Sequence, residues 1–329
     1  MTSSDLKRVR RKYIGKLTLK EPYSRTKWLS VRFRGYIDLL RAFTLLAPIV
    51  VSMSIMAASI VLKINNGENI SPNWWITIGY ASGTIALVNA ASNALNQATD
   101  VEADKISKAY RPIPLGIVKP EEAQSLAFIL YLFALLRSAT INVWFGVFIF
   151  LIMIFTVTYS LPPRMKQYLF INQIWIAIPR GMLGVLAAWS VFNENPFTPI
   201  PLIIGGIATV YLIGGMATKD IVDSEADRRT GIRTLINTYG RKKTALICFP
   251  FMFFPFAFIP IFVNQGLLPS YLQPLIIIVI PSFLILYLMI RAVESKTLEN
   301  VHAWSIMYIQ YILFALGFSL LTIFSGVIS

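Results

Sequence analysis

Long uncharged apolar runs, separated by short clumps of charge, set the pattern of this chain. Nine runs approach membrane-spanning length: residues 38–63, 74–95, 122–139, 141–160, 172–193, 199–217, 244–264, 270–290 and 302–326. Crossing the hydrocarbon core takes about 20 mostly apolar residues. Lipid offers backbone groups no water to bond, so each run is predicted as a helix. Between 122 and 160 the residues Arg137, Ser138, Ala139, Thr140 and Asn142 predict a turn between two short helices, with one long kinked helix as the alternative. The fold class expected is all-α integral membrane, with nine transmembrane helices.

Composition agrees with the pattern. Of 329 residues, 56% are hydrophobic and 14% charged, too apolar for an ordinary soluble globule. The first 36 residues are basic and polar and contain no apolar stretch long enough for a secretory signal. They read as a cytoplasmic N-terminal segment, 1–36, ahead of a helical domain, 37–329. Cys248, the single cysteine, lies inside an apolar run. That excludes an internal disulfide and a Cys-rich metal site, and it reads as a small buried side chain. One histidine, His302, at the start of the last run, excludes a His relay, and no Ser-His-Asp or Cys-His set can be assembled.

The net charge of +14 would suggest nucleic acid, but its placement argues against that. Of 30 Lys and Arg, eleven precede residue 36, four lie in 98–121, two are Arg164 and Lys166, seven lie in 218–243 and two in 291–301. If nine helices alternate, all of these fall on one side. The opposite loops hold Lys63 and Arg137, and Arg41 and Arg180 sit inside runs. This positive-inside bias predicts a cytoplasmic N-terminus and an outside C-terminus, with the basic tail against anionic headgroups.

The acidic residues single out two places. Seven of sixteen are Asp100, Glu102 and Asp104, and Asp220, Asp223, Glu225 and Asp227. Asn96, Asp100 and Asp104 are spaced i, i+4, i+8, with Asn93 a turn earlier; Asp220, Asp223 and Asp227 are spaced i, i+3, i+7. Each set shares one helix face. Stacked carboxylates repel, so a repeated arrangement implies a cation, and oxygen ligands without His or Cys suit Mg²⁺. Mg²⁺ usually shares its shell with substrate phosphates. Lys105, Lys108, Arg111 and Lys119 follow the first cluster; Lys219, Arg228, Arg229 and Arg233 surround the second, as a diphosphate site requires. The competing readings are solvated surface ion pairs and an ion-coupled transporter. A transporter more often places carboxylates mid-span within an inverted repeat, and no such repeat is visible.

The segments "NQATDVEADKISKAYRPIPLG" and "KDIVDSEADRRTGIRTL" resemble the two signatures of the UbiA-type intramembrane prenyltransferases. "YSLPPRMK" resembles a third family segment, with Lys166 one place earlier than in many members, and "LLRAFTLLAP" resembles the first helix, with Arg41 at its arginine. Gln97 stands where many members have Asp; it lies one step off the Asn96–Asp100–Asp104 stripe, so the metal site is expected to survive. The resemblance implies nine helices around a central cavity open to the cytoplasm and lipid. It implies Mg²⁺-dependent transfer of a prenyl group, with geranylgeranyl the expected chain, from an allylic diphosphate to a lipophilic acceptor. The metal ligands implied are Asn96, Asp100, Asp104, Asp220, Asp223 and Asp227, with the five aspartates catalytic. Tyr159 is the candidate to steady a carbocation. Asn93, Ser160, Lys166 and Lys219 are candidates for substrate binding, and Arg111, Lys119 and Arg228 for further diphosphate clamps. Arg180, between Pro179 and Gly181, is expected to face the cavity from a loosened helix, as is Arg41, to pair with a motif carboxylate or bind an acidic acceptor. Loop 218–243, with Gly231 and Gly240, is expected to act as a lid. The acceptor favoured is geranylgeranylglyceryl phosphate. A hydroxybenzoate or naphthoate quinone precursor, and chlorophyll-synthase-like esterification, are the alternatives.

Overall fold

The computed structural model describes residues 25–292, 296–297 and 300–328. The greater part of the basic segment expected at 1–36 lies outside the described residues. Within them, helix α1 (Arg25–Leu40) runs through the 36/37 boundary without a break.

α2 (Leu46–Asn65), α3 (Trp74–Thr99), α5 (Pro120–Ala139) and α6 (Val143–Ser160) form the first half of the bundle, with short α4 (Val101–Ser107) following α3. The 122–160 region is two helices: Asn142 caps α6 by accepting from the Phe145 N–H at 2.8 Å. α7 (Ile171–Arg180) and α8 (Met182–Ser190) make one broken span. α9 (Pro199–Gly215), α10 (Asp220–Arg229), α11 (Leu235–Ala257) and α12 (Ile259–Asn264) follow. A 3-10 stretch, Ser270–Val279, continues into α13 (Ile280–Ile290), and α14 (His302–Ile328) ends the bundle. Apart from helix, the described residues hold one antiparallel pairing, Lys296–Thr297 with Asn300–Val301.

Eight helical stretches among the described residues are long and apolar enough to cross a membrane. The ninth expected span is α3, 26 residues long but more polar, because Asn89, Asn93, Asn96 and Gln97 interrupt its apolar face. That polarity is positional: Asn89, Asn93 and Asn96 line the central cavity. The lipid-facing sides of α5, α6, α11 and α13 expose Ile129, Phe150, Phe254 and Phe283, as a membrane protein's surface should.

Close helix approach uses small residues. A Cβ on Gly214 would lie 2.5 Å from the Cys248 carbonyl oxygen, so α9 and α11 meet backbone to backbone. Cys248 is buried there, as expected for a small core side chain. Buried polar groups are matched in kind: Gln310 donates to the Ile278 carbonyl at 2.7 Å and accepts from Tyr211 Oη at 3.0 Å, joining α9, α14 and the Ser270–Val279 stretch.

Candidate active site

The cavity is lined by polar residues from α3, α6, α10 and α14. Its lining includes Asn93, Asn96, Asp100 and Asp104 from one motif and Asp220, Asp223 and Asp227 from the other. It also includes Arg41, Lys108, Arg111, Lys166, Arg180 and Lys219, so six cations face five aspartates.

The first motif is built at a one-residue interruption between α3 and α4. Asp100 has φ −106° and ψ 25°, yet its N–H still reaches the Asn96 carbonyl at 3.0 Å and its own carbonyl accepts from Asp104 N–H at 2.8 Å. The hydrogen-bond ladder therefore passes through, and the three residues stay on the cavity side. Gln97 turns away as expected, donating to the Leu39 carbonyl at 2.7 Å. Asn93 anchors the wall: its amide donates to the Leu40 carbonyl at 2.9 Å and to Thr44 Oγ1 at 2.8 Å.

Four of the five carboxylates are paired with a cation. Arg111 donates to both oxygens of Asp104 at 3.0 and 2.8 Å, in a fully buried pair. Burial pushes the Asp104 carboxyl above its ordinary range, outweighing Arg111 and Lys108 beside it. Lys166 bonds Asp100, and also reaches Asn96 Oδ1 at 3.4 Å and Thr99 Oγ1 at 3.3 Å. Burial lowers the Lys166 ammonium below its usual value against the pull of Asp100. Arg164 is the second partner of Asp100, at 3.0 Å. Across the cavity Lys108 bonds Asp223, which ties the first motif's helix to the second's. Lys219 donates to Asp220 Oδ1 at 2.7 Å and to Tyr159 Oη at 3.3 Å. Lys166 Nζ lies 5.9 Å from the Tyr159 ring centroid, which puts a positive charge near that ring's face. Ser160 is buried below the lining and donates to Asn96 Oδ1 at 3.4 Å.

The donor set suits Mg²⁺ in the presence of phosphate. No three carboxylate, His or Cys side chains among the described residues converge on one point, because the lysines and arginines hold the aspartates apart. Asp220 Oδ2, however, is buried without a hydrogen-bond partner, an oxygen that a cation would satisfy. A few carboxylates plus phosphate oxygens is the usual Mg²⁺ shell.

A sequence profile of the UbiA prenyltransferase family matches residues 52–314. The chain belongs to the UbiA prenyltransferase family. It is thus an integral membrane prenyltransferase, and the transporter reading falls away. It is similar to digeranylgeranylglyceryl phosphate synthase of Methanosphaera stadtmanae, 26% identical over 250 residues that cover 74% of this chain and 88% of that one. It is also similar to a probable homogentisate phytyltransferase 2 of Oryza sativa, 31% identical over 188 residues, 53% of this chain and 48% of that one. Among solved structures, a UbiA homolog from Archaeoglobus fulgidus bound to GPP and Mg²⁺ superposes with TM-score 0.61 at 18% identity, covering 90% of this chain and 100% of that one. A structure of digeranylgeranylglyceryl phosphate synthase in membranes gives TM-score 0.61 at 21% identity, covering 91% and 99%. These structural likenesses show the fold.

Within this UbiA-family cavity the structure gathers most of the residues expected from sequence and leaves three outside the lining: Ser160, buried below it, Lys119 and Arg228. Lys119 is exposed at the start of α5, where its backbone N–H is capped by Glu122 Oε2 at 3.0 Å. Arg228 is exposed on α10, one step past Asp227 and so on another face. Neither is among the residues that line the cavity. Arg41 and Arg180 line the cavity as expected, and the helix does break between Pro179 and Gly181. Segment 218–243 carries α10 and the Thr234 cap of α11, and Ile232 and Thr234 join the lining. Two residues missing from the expected site are Lys108 and Arg164, which hold Asp223 and Asp100. Lys108 stood among the basic residues noted after the first cluster; nothing local marked its partner 115 residues away.

Proposed function

We propose that this prenyltransferase carries a geranylgeranyl group from its allylic diphosphate to the free hydroxyl of geranylgeranylglyceryl phosphate, with Mg²⁺ as cofactor, at a site facing the cytoplasm. The observation that carries the reading is the meeting of two acidic motifs from opposite halves of the chain across one cavity, four of the five carboxylates already paired with a lysine or arginine. The relatives named digeranylgeranylglyceryl phosphate synthase, from Methanosphaera stadtmanae and Methanobrevibacter smithii, match along most of their own length, 88% and 82%. They favour the phosphate-bearing acceptor.

The residues divide the work by charge. Asn96, Asp100 and Asp104 on one side and Asp220, Asp223 and Asp227 on the other are the proposed metal ligands. When bound with diphosphate, Mg²⁺ supplies charge neutralisation for the leaving group. Lys108, Arg111, Lys166 and Lys219, which rest on aspartates, would hold the phosphate oxygens when the carboxylates hold the metal. The allylic C1–O bond breaks with its electron pair leaving on the diphosphate. The acceptor oxygen attacks C1, and its proton passes to an oxygen of the departing diphosphate. Tyr159 presents its ring to the developing carbocation, held by the Lys219 contact at 3.3 Å. Apolar lining from Val51, Ile85, Val88 and Ile152 takes the prenyl chain and excludes water.

The rice relative, matched at 31% identity, favours an aromatic acceptor as the second reading. A turnover assay separates the two. Purified protein in detergent is given geranylgeranyl diphosphate, Mg²⁺, and a panel holding geranylgeranylglyceryl phosphate, 4-hydroxybenzoate and homogentisate. Product is expected with the glyceryl phosphate, and lost with a chelator and in Asp100→Ala. Product with an aromatic acceptor alone would move the assignment to quinone precursors.

A further inference from the structure

A second cleft, enclosing about 310 Å³, opens beside the catalytic cavity between the end of α1 and the loop after α4. Its lining includes Arg34, Arg41 and Arg111 against one carboxylate, Asp38, with Ile37 and Phe43 at its apolar edge. Arg41 and Arg111 also line the catalytic cavity, so the two spaces share a cationic wall. That volume, at the low end for ligand pockets, holds a headgroup and leaves a long chain outside.

Three features of α1 shape this cleft. Val31, Gly35 and Leu39 pack inward; a Cβ on Gly35 would lie 2.7 Å from Ile117 Cγ2, so the helix is seated tightly on the loop before α5. Leu29, Phe33 and Ile37 form an exposed apolar stripe at intervals of four, which places this helix at the level where headgroups meet acyl chains. At its end Arg41 adopts φ 52°, a left-handed conformation that a non-glycine residue rarely takes. The turn is held there from both sides: Arg41's carbonyl accepts Thr44 N–H and Thr44 Oγ1, each at 2.8 Å. Asn93 of the catalytic wall in turn donates to Thr44 Oγ1. Strain maintained by the catalytic wall itself places this guanidinium on the partition between the two spaces. Arg34 Nε and Asp38 Oδ2 lie 3.8 Å apart.

We propose that the cleft docks the phosphate of a glycerol-phosphate amphiphile, and that it is the route by which the phosphate-bearing acceptor reaches the catalytic cavity. Arg34 and Arg41 hold the phosphate, and Ile37 and Phe43 guide the chain along the lipid. The acceptor half of this inference rests on the acceptor reading given above. The same chemistry is offered by bulk anionic lipid headgroups, and the test distinguishes the two sources.

The full chain in phosphatidylcholine nanodiscs is titrated with labelled monoacylglycerol phosphate and, separately, with uncharged monoacylglycerol. The phosphate form is expected to bind at least about tenfold more tightly, as a charge-assisted contact should give. Arg34→Gln, an exposed position outside the catalytic lining, removes that preference; Arg34→Lys retains part of it. In turnover, Arg34→Gln raises KM for geranylgeranylglyceryl phosphate about tenfold and leaves kcat and the KM of the diphosphate unchanged. Equal binding of the two amphiphiles, or wild-type binding by Arg34→Gln, overturns the phosphate site. Displacement by added phosphatidylglycerol at equal potency overturns the acceptor assignment and gives the cleft to bulk headgroups. Binding is read without turnover, so a failure of the acceptor reading and a failure of this site produce different results.

Discussion

Asp100 is held by two cations of unequal setting: the Lys166 side chain is 4% exposed and that of Arg164 37%. In a dry site a charge acts at close to full strength, while an exposed one is screened. Lys166 also touches Asn96 and Thr99, so it organises the whole end of α3. Lys166→Met is therefore expected to lower kcat/KM for the allylic diphosphate by about 10²–10³-fold, the scale of losing one preorganised electrostatic contact. Arg164→Gln should cost about tenfold or less. Steady-state kinetics on the two variants check this ranking, and equal losses would refute it. The acidic half of the site was legible in the sequence because its residues repeat at helical intervals, as in Asn96–Asp100–Asp104. The basic half was legible only where a motif named it. Lys108 and Lys119 stand in the same basic stretch; one reaches Asp223 across the cavity and the other points to solvent. Pairing across 115 residues depends on helix packing, which no local spacing encodes.

At the scale of elements, the break between α7 and α8 places Arg180 on the cavity. Pro179 and Gly181 announced the break in the sequence; its cause lies in another helix. A Cβ on Gly181 would sit 2.6 Å from both Thr209 N and Cα, so α9 passes directly against this residue. Thr209 Oγ1 then accepts the Met182 N–H at 2.7 Å, satisfying a backbone donor that the break frees. Tyr311 of α14 donates to the Arg180 carbonyl at 2.7 Å, which supplies the opposite support. Gly181→Ala must push backbone against backbone, and a loss of about 1–3 kcal/mol is expected. Cys248, single in the chain and buried, provides the readout: a thiol-reactive dye reports its exposure on heating in detergent. A lower midpoint in Gly181→Ala is the expected result, and an unchanged midpoint would mean that α9 yields. Gly206→Ala is the control, since its new Cβ would meet only Met182 Cε, at 3.9 Å.

For the molecule as a whole, the number of helices followed from run length, and the cavity from the polar residues on α3, but the direction of insertion rests on charge alone. The loops bearing the site carry most of the Lys and Arg outside the N-terminal segment, whereas the opposite loops carry Lys63 and Arg137. Those two are engaged locally. Lys63 pairs with Glu68 at 2.8 Å and donates to the Phe192 carbonyl at 2.8 Å; Arg137 donates to Thr84 Oγ1 and the Tyr80 carbonyl, with its guanidinium 3.7 Å from the Tyr80 ring centroid. The cations on the side of the site are likewise largely paired, so the bias rests on their number. We propose on this ground that the carboxylates face the cytoplasm. Single-cysteine labelling tests it in a Cys248→Ala background. Glu225→Cys and Glu68→Cys replace half-exposed side chains on the two opposite sides. In intact cells a membrane-impermeant maleimide is expected to label Glu68→Cys and to reach Glu225→Cys only after the membrane is opened. The reverse pattern would put the diphosphate site outside and break the link between the charge distribution and the placement of the reaction.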